Sequence, residues 1–298
     1  MWFIYSIIAL LCWSGSDLFS KIGSKPDDKY SHWKMVMAVG LVMGLHAMYE
    51  IFIGGVEINL SIIIKYLPAS VLYIVSMIFG YVGLRYIELS VSSPICNSSG
   101  AITAILCFLI LGQKLTLGPT IGVIIVCFGV LFLGITEYTE DDEKRKLRQE
   151  SCNIKYSKSL IAIILPVLYC ILDAAGTFAD SIILETLDEN SANVAYELTF
   201  LMMGIVAFIY VVIIKKDSLL PKREAPKLIG AVCETAGQFA YIFALSSKAI
   251  LAAPVISAYC VASVVWSRIF LKEKLSVKHY AAIVVTVIGI IILGVYDI

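Results

Sequence analysis

Three acidic side chains stand inside long apolar stretches: Asp17 in CWSGSDLFSK, Asp173 in YCILDAAGTFAD and Glu234 in AVCETAGQFAY. An ionisable group in such surroundings is costly to keep, so each is a candidate for binding or proton transfer. Glu234, Gln238 and Tyr241 follow at i, i+4 and i+7, which puts an acid, an amide and a phenol on one helix face. That face either lines a cavity or forms a hydrogen-bonded contact between helices. Asp17 is four residues from Lys21, so the two share a face. An ion pair at a helix end and a gating role are both open for it. Asp180 lies seven residues beyond Asp173, and Glu197 stands early in the next apolar block. These two form a candidate outer vestibule or are solvated at the interface. Ser93, Asn97 and Gly100 share a face beside Pro94, and Ser257 and Tyr259 flank Pro254. Trp13 and Tyr169 could stack on a cationic or aromatic molecule, or simply fill a core.

The elements that must carry these residues are membrane helices. Of 298 residues 59% are hydrophobic and 15% charged, and the mean hydropathy is +0.89, too apolar for a soluble domain to cover its core. A bilayer core of about 30 Å needs roughly 20 mostly apolar residues per helix. Ten such blocks can be marked, at about 2–20, 33–53, 66–87, 93–111, 117–136, 158–184, 192–214, 226–247, 250–271 and 277–296. Helices are the expected form, because each backbone N–H and C=O must be satisfied within its own segment. The first block lacks a basic leader, and Asp17 occupies the place of a small-residue cleavage site, so it reads as a retained helix. A net charge of zero gives no case for a nucleic-acid partner. The eight cysteines include no CxxC pair and read as small packing residues. The three histidines are scattered, and no HExxH, GxSxG or Walker pattern occurs, so neither cofactor nor metal is expected. Gly118 and Gly122 suggest close helix packing.

A charged run, EYTEDDEKRKLRQES, falls in residues 137–157 and divides the chain into a first unit, 1–136, and a second, 158–298. The units resemble each other. A shift of 160 residues pairs Phe79 with Phe239, Tyr81 with Tyr241, Pro94 with Pro254, Lys114 with Lys274 and Gly129 with Gly289. Leu111 and Leu115 fall likewise on Leu271 and Leu275, and Leu133 and Gly134 on Leu293 and Gly294. Near the start of each unit a shift of 156 sets Asp17 on Asp173. Five helices is an odd number, so the second unit should cross the membrane in the opposite sense, as in many secondary transporters. Loops after the odd-numbered helices, with their helix ends, hold twenty of the 23 Lys and Arg residues. This bias predicts that those loops are cytoplasmic and that both termini are outside.

The segments YVGLRYIELSVSSP (81–94) and LGQKLTLGPTIGVIIVCFGVLFLG (111–134), with their second copies AYIFALSSKAILAAP (240–254) and LKEKLSVKHYAAIVVTVIGIIILG (271–294), resemble the drug/metabolite transporter superfamily, in particular its ten-helix EamA-type members. Gln113 replaces the acidic residue usual in the first copy of that turn, whereas Glu273 keeps it in the second. The resemblance implies an all-α integral membrane protein of two inverted five-helix repeats. It also implies that helices 1–4 and 6–9 line a central cavity and that helices 5 and 10 pack outside it.

The expected function is therefore secondary active transport, in the export direction by resemblance, of a small metabolite such as an amino acid or amine. The candidate binding or coupling residues are Asp173, Glu234, Gln238, Asn97, Tyr241, Trp13 and Asp17, and a carboxylate in low dielectric can also exchange protons near neutrality. A multidrug exporter of lipophilic cations is the nearest alternative, and a membrane-embedded lipid-modifying enzyme a more distant one. The expected partners are the solute, protons and the bilayer, with the chain as a monomer or homodimer in the plasma membrane.

Overall fold

The computed structural model describes residues 1–25, 27–86, 89–138, 160–274 and 276–295. The charged linker beyond Tyr138 lies outside the described residues, as does Leu275. The described residues form helices and no strands. In chain order they are α1 (Trp2–Gly23), α2 (Ser31–Phe52), α3 (Leu60–Gly83), α4 (Leu89–Cys96), α5 (Ser99–Leu109), α6 (Leu117–Tyr138), α7 (Leu160–Ile183), α8 (Glu189–Phe208), α9 (Pro221–Ser257), α10 (Tyr259–Trp266) and α11 (Val277–Val295). π-Helical turns extend α8 over Ile209–Ile214 and α10 over Ser267–Leu271. Seven described helical stretches are long and apolar enough to cross a membrane, and two shorter apolar ones lie at Leu117–Phe132 and Val277–Leu293. Wide apolar exposure, as at Leu45 (65%), Phe108 (56%) and Val232 (57%), fits a surface solvated by lipid.

Two departures from the apolar blocks have local causes. The block at 93–111 is broken into α4 and α5, because polar side chains compete for backbone groups just after Pro94. Asn97 Nδ2 donates to the Ser93 carbonyl at 2.8 Å, and Ser98 Oγ donates to the Pro94 carbonyl at 3.0 Å. The matching position in the second half, Ala258, also breaks its helix four residues after a proline: its N–H is shared between the carbonyls of Pro254 and Val255, at 3.2 Å each. The blocks 226–247 and 250–271 are joined through α9, where Lys248 leaves helical geometry (φ −156°, ψ 78°).

The packing respects the repeat. α1 lies along α9 and α3 along α7, while α2 pairs with α8, α6 with α11, and α5 with α9. Exchanging the halves carries this set of contacts onto itself. The correspondence extends to single residues. A Cβ on Gly129 would fall 2.9 Å from the Thr286 nitrogen, and one on Gly289 2.8 Å from the Val126 nitrogen. Both members of each pair are related by the 160-residue shift. Gly112 and Lys272, also so related, both take left-handed turns, with φ of 64° and 60°. Glycine adopts that conformation freely, whereas lysine must be held there. The next residue, Glu273, is buried, and its Oε2 accepts a hydrogen bond from the Ser90 N–H at 3.2 Å. The acidic residue of the second-half turn thus caps the first turn of α4.

α2 and α8 also approach closely between the halves. A Cβ on Gly40 would stand 2.7 Å from the Phe200 carbonyl oxygen and 2.9 Å from Gly204 Cα. Gly40→Val should therefore lower stability by about 1–3 kcal/mol through overpacking. The change is read as a fall in Tm of the detergent-purified protein. An unchanged Tm would mean that the two backbones are not in contact there.

Candidate functional site

The acids that sequence reading picked out divide into two kinds. Asp17, Asp173 and Glu234 are half-buried and face one cavity, whereas Asp180 and Glu197 have no exposure. The cavity has a volume of about 70 Å³ and lies where the two halves meet. This is less than the few hundred Å³ of an ordinary small-molecule site. α1 supplies Trp13, Ser16 and Asp17; α3 supplies Tyr73 and Tyr81; α4 supplies Ser93; α7 supplies Tyr169 and Asp173; and α8 supplies Tyr196. α9 supplies Glu234, Gln238 and Tyr241, while Asn97 and Tyr259 come from the two helix breaks. Among the described residues the lining includes no Lys, Arg or His.

The two equivalent aspartates are held by serines. Asp17 Oδ2 accepts hydrogen bonds from Ser93 Oγ and, at 2.8 Å, from Ser263 Oγ. Asp173 Oδ2 accepts one from Ser99 Oγ at 2.7 Å. Lys21, expected beside Asp17, sends its ammonium to the Leu84 carbonyl. Trp13 and Tyr169, also equivalent, both pack on glycine gaps: a Cβ on Gly237 would meet Trp13 at 2.4 Å, and one on Gly80 would meet Tyr169 at 2.9 Å. Trp13 leans on Tyr241 (5.1 Å between ring centres) and donates its Nε1–H to the Glu234 carbonyl at 3.3 Å. Ser16 is the hydrogen-bonding neighbour of the Glu234 carboxylate. Gln238 is 3% exposed and its Nε2 has no partner among the described residues. A buried amide donor without a partner costs free energy that a bound oxygen atom would recover.

Asp180 stands behind the tyrosines. Tyr73 OH donates to Asp180 Oδ2 at 3.1 Å and also hydrogen-bonds with Tyr241 OH. Glu197 turns elsewhere: His46 Nδ1 lies 2.8 Å and 3.0 Å from its two oxygens. Asp180 and Glu197 therefore have separate partners and do not form a shared acidic vestibule. α2, expected to line the cavity, supplies none of its lining. Its small-residue face is used up against α8 at Gly40 and Gly204. α6 and α11 stand outside the cavity as expected.

Sequence reading passed over Tyr73, Ser99 and Ser263. Short hydroxyl residues are common in membrane helices, and nothing in their spacing marked them. His46 had been set aside as scattered, since its partner lies 151 residues away.

Replacing Tyr73 by Phe should cost roughly 1–3 kcal/mol, because it strips a donor from a fully buried carboxylate. Tyr81→Phe should be close to neutral, since its buried hydroxyl has no partner among the described residues. Thermal unfolding of both variants tests the contrast, and equal shifts would refute it.

Comparison with known proteins agrees with this architecture. The sequence profile of the EamA-like transporter family matches residues 1–135 and again 160–295. No curated protein matches. A solved structure titled "Crystal structure of protein" is similar over 98% of this chain and 96% of its own, with a TM-score of 0.65 at 12% identity, which speaks for the fold alone. The two matched copies cover nearly the whole chain, and the protein belongs to the EamA-like transporter family, as a multi-pass membrane transporter of small molecules.

Proposed function

We propose that the chain exports a small organic amine or zwitterion across the plasma membrane in exchange for protons. The observation that carries this reading is the cavity itself: three carboxylates and a wall of aromatic rings, with no fixed cation among the described lining residues. A cationic amine would be held by Asp173 and Glu234 and stacked by Trp13 and Tyr169. If the cargo is an amino acid, its carboxylate would find the Nε2–H of Gln238, which has no partner among the described residues. A carboxylate can hold either a proton or an ammonium, so the two compete for one site, which is the minimum needed for exchange. Lipophilic drugs with a cationic centre are the second reading, favoured by the rings alone.

Exchange needs access from each side in turn, and ten crossings arranged as inverted five-helix repeats would provide it. The stretch Pro221–Leu271 supports this count. Its 51 residues would extend roughly 75 Å as one straight helix, more than twice the bilayer core. A return at Lys248 makes two crossings of it. Lys114 and Lys274 would then face opposite sides of the membrane, with both termini outside. Single cysteines at these positions, in a background without native cysteines, should react with an impermeant reagent from opposite sides. Reaction of both from one side would refute the inversion.

The mechanism is tested in proteoliposomes by counterflow of labelled amines and amino acids under a pH gradient. Asp173→Asn and Glu234→Gln keep size and most hydrogen bonds while removing charge. Each should abolish gradient-driven exchange while the protein still folds and inserts. Wild-type rates with unchanged pH dependence in both would show that these acids are structural.

A further inference from the structure

α2 meets the second half at three levels. In the middle Gly40 touches α8 at Gly204. Six residues toward its N-terminus, Lys34 Nζ lies 2.9 Å from Asp217, 3.3 Å from Asp28 and 3.7 Å from Glu224. Lys227 adds contacts to Glu224 at 2.8 Å and Asp28 at 3.5 Å, and Arg223 contacts Asp27 at 2.8 Å. Six residues the other way, His46 holds Glu197. Each latch is thus roughly 9 Å from the glycine contact, on opposite sides of it. Helices that touch backbone to backbone at one point can tilt about it, and tilting that tightens one end loosens the other.

The latches differ in chemistry. Asp217 lies outside the helices, and the hydrogen bond from Lys34 holds its carboxyl below the ordinary carboxylate range. Its contribution is therefore fully present above about pH 3.9 and lost only as pH falls further. The His46 end carries the one side-chain type that ordinarily changes charge between about pH 5 and 8. His46 has 28% of its side chain exposed and lies within two turns of the end of α2 at Phe52, whereas Glu197 has no exposure. The charges acting on His46 are Glu197 from α8 and Glu50 from its own helix, whose Oε1 is 3.7 Å from Nε2. α9 presents the ring of Phe239, 5.4 Å away and edge-on, and Tyr49 of α2 stacks at 6.5 Å.

We propose that His46 and Glu197 form a proton-binding site separate from the central cavity, and that its protonation holds the His46 end of the α2–α8 seam shut. With a proton on the imidazole, a cation meets the buried carboxylate and the pair is neutral. Without it, Glu197 is a buried anion facing a neutral ring, with Glu50 close by. Such an anion is strongly unfavourable unless water reaches it, and opening that end admits water. The site rests on the transport reading for its purpose: a proton taken from the outer side would drive the return of the emptied carrier. Its existence is tested without transport.

Spin labels at Ile53→Cys and Asn190→Cys, in a background lacking the eight native cysteines, report the width of this end in detergent or nanodiscs. The wild-type background should give a short distance near pH 5 and a longer one near pH 8. His46→Gln keeps a hydrogen-bond donor but no charge, and should be long at both pH values. His46→Lys supplies a permanent cation and should be short at both. Glu197→Gln should abolish the pH response; if it fails to fold, the two His46 variants carry the test alone. The proposal is overturned if the wild-type distance does not change with pH, or if the response survives His46→Gln. Absence of transport for every solute tried, with the distance response intact, would count against the exporter reading and leave the proton site standing.

Discussion

A polar group inside hydrocarbon has no water to turn to, and the arrangement of this protein follows from finding a partner for each one. The aspartates at 17 and 173 are served by hydroxyls from α4, α5 and α10. Asp180 is served by a tyrosine, and Glu197 by a histidine. Each of these bonds crosses from one half of the chain to the other except that of Ser93, which joins Ser263 of the second half on Asp17. The polar contacts thus bind the two repeats together. Non-directional packing of Leu and Ile against lipid could not give that specificity, because lipid offers the same contacts.

Duplication explains why partners are found so economically. Once one half places an acid at the end of a conserved geometry, the second half places another by the same folding rules. Gly129 against Thr286 and Gly289 against Val126 are one contact made twice. Where the copies have diverged, the structure shows what changed. Glu273 caps α4 with its carboxylate, whereas its counterpart Gln113 has an amide. Lys272 accepts the left-handed turn that Gly112 adopts freely.

Much of this was legible in the sequence. The apolar blocks located the helical stretches, though not the breaks that follow Pro94 and Pro254 or the joining of two blocks in α9. The spacing of Glu234, Gln238 and Tyr241 placed all three on one helix face, because helical periodicity is a local property, and that face lines the cavity. The 156-residue shift joined Asp17 to Asp173, and both line the cavity and accept hydrogen bonds from serine hydroxyls. What could not be read was contact between residues distant in sequence. No spacing links His46 to Glu197, and the serines beneath the aspartates look like any small residue of a membrane helix. α2 was expected at the cavity because it is apolar and sits among helices that do line it. Its glycines at positions 40 and 44 were the signs that its face was committed elsewhere.

The break between α4 and α5 has an electrical consequence. Ser99 is the first residue of α5, and it is the one that reaches Asp173. Helix starts carry a partial positive charge from their unbonded N–H groups. Asp173 therefore faces a modest, permanent compensating field when no ligand is present. A carrier that left the acid bare would bind its cargo tightly and release it slowly. By sharing its charge with a helix end, Asp173 would exert a weaker pull on any cation entering the cavity, and release would be eased as much as capture is limited.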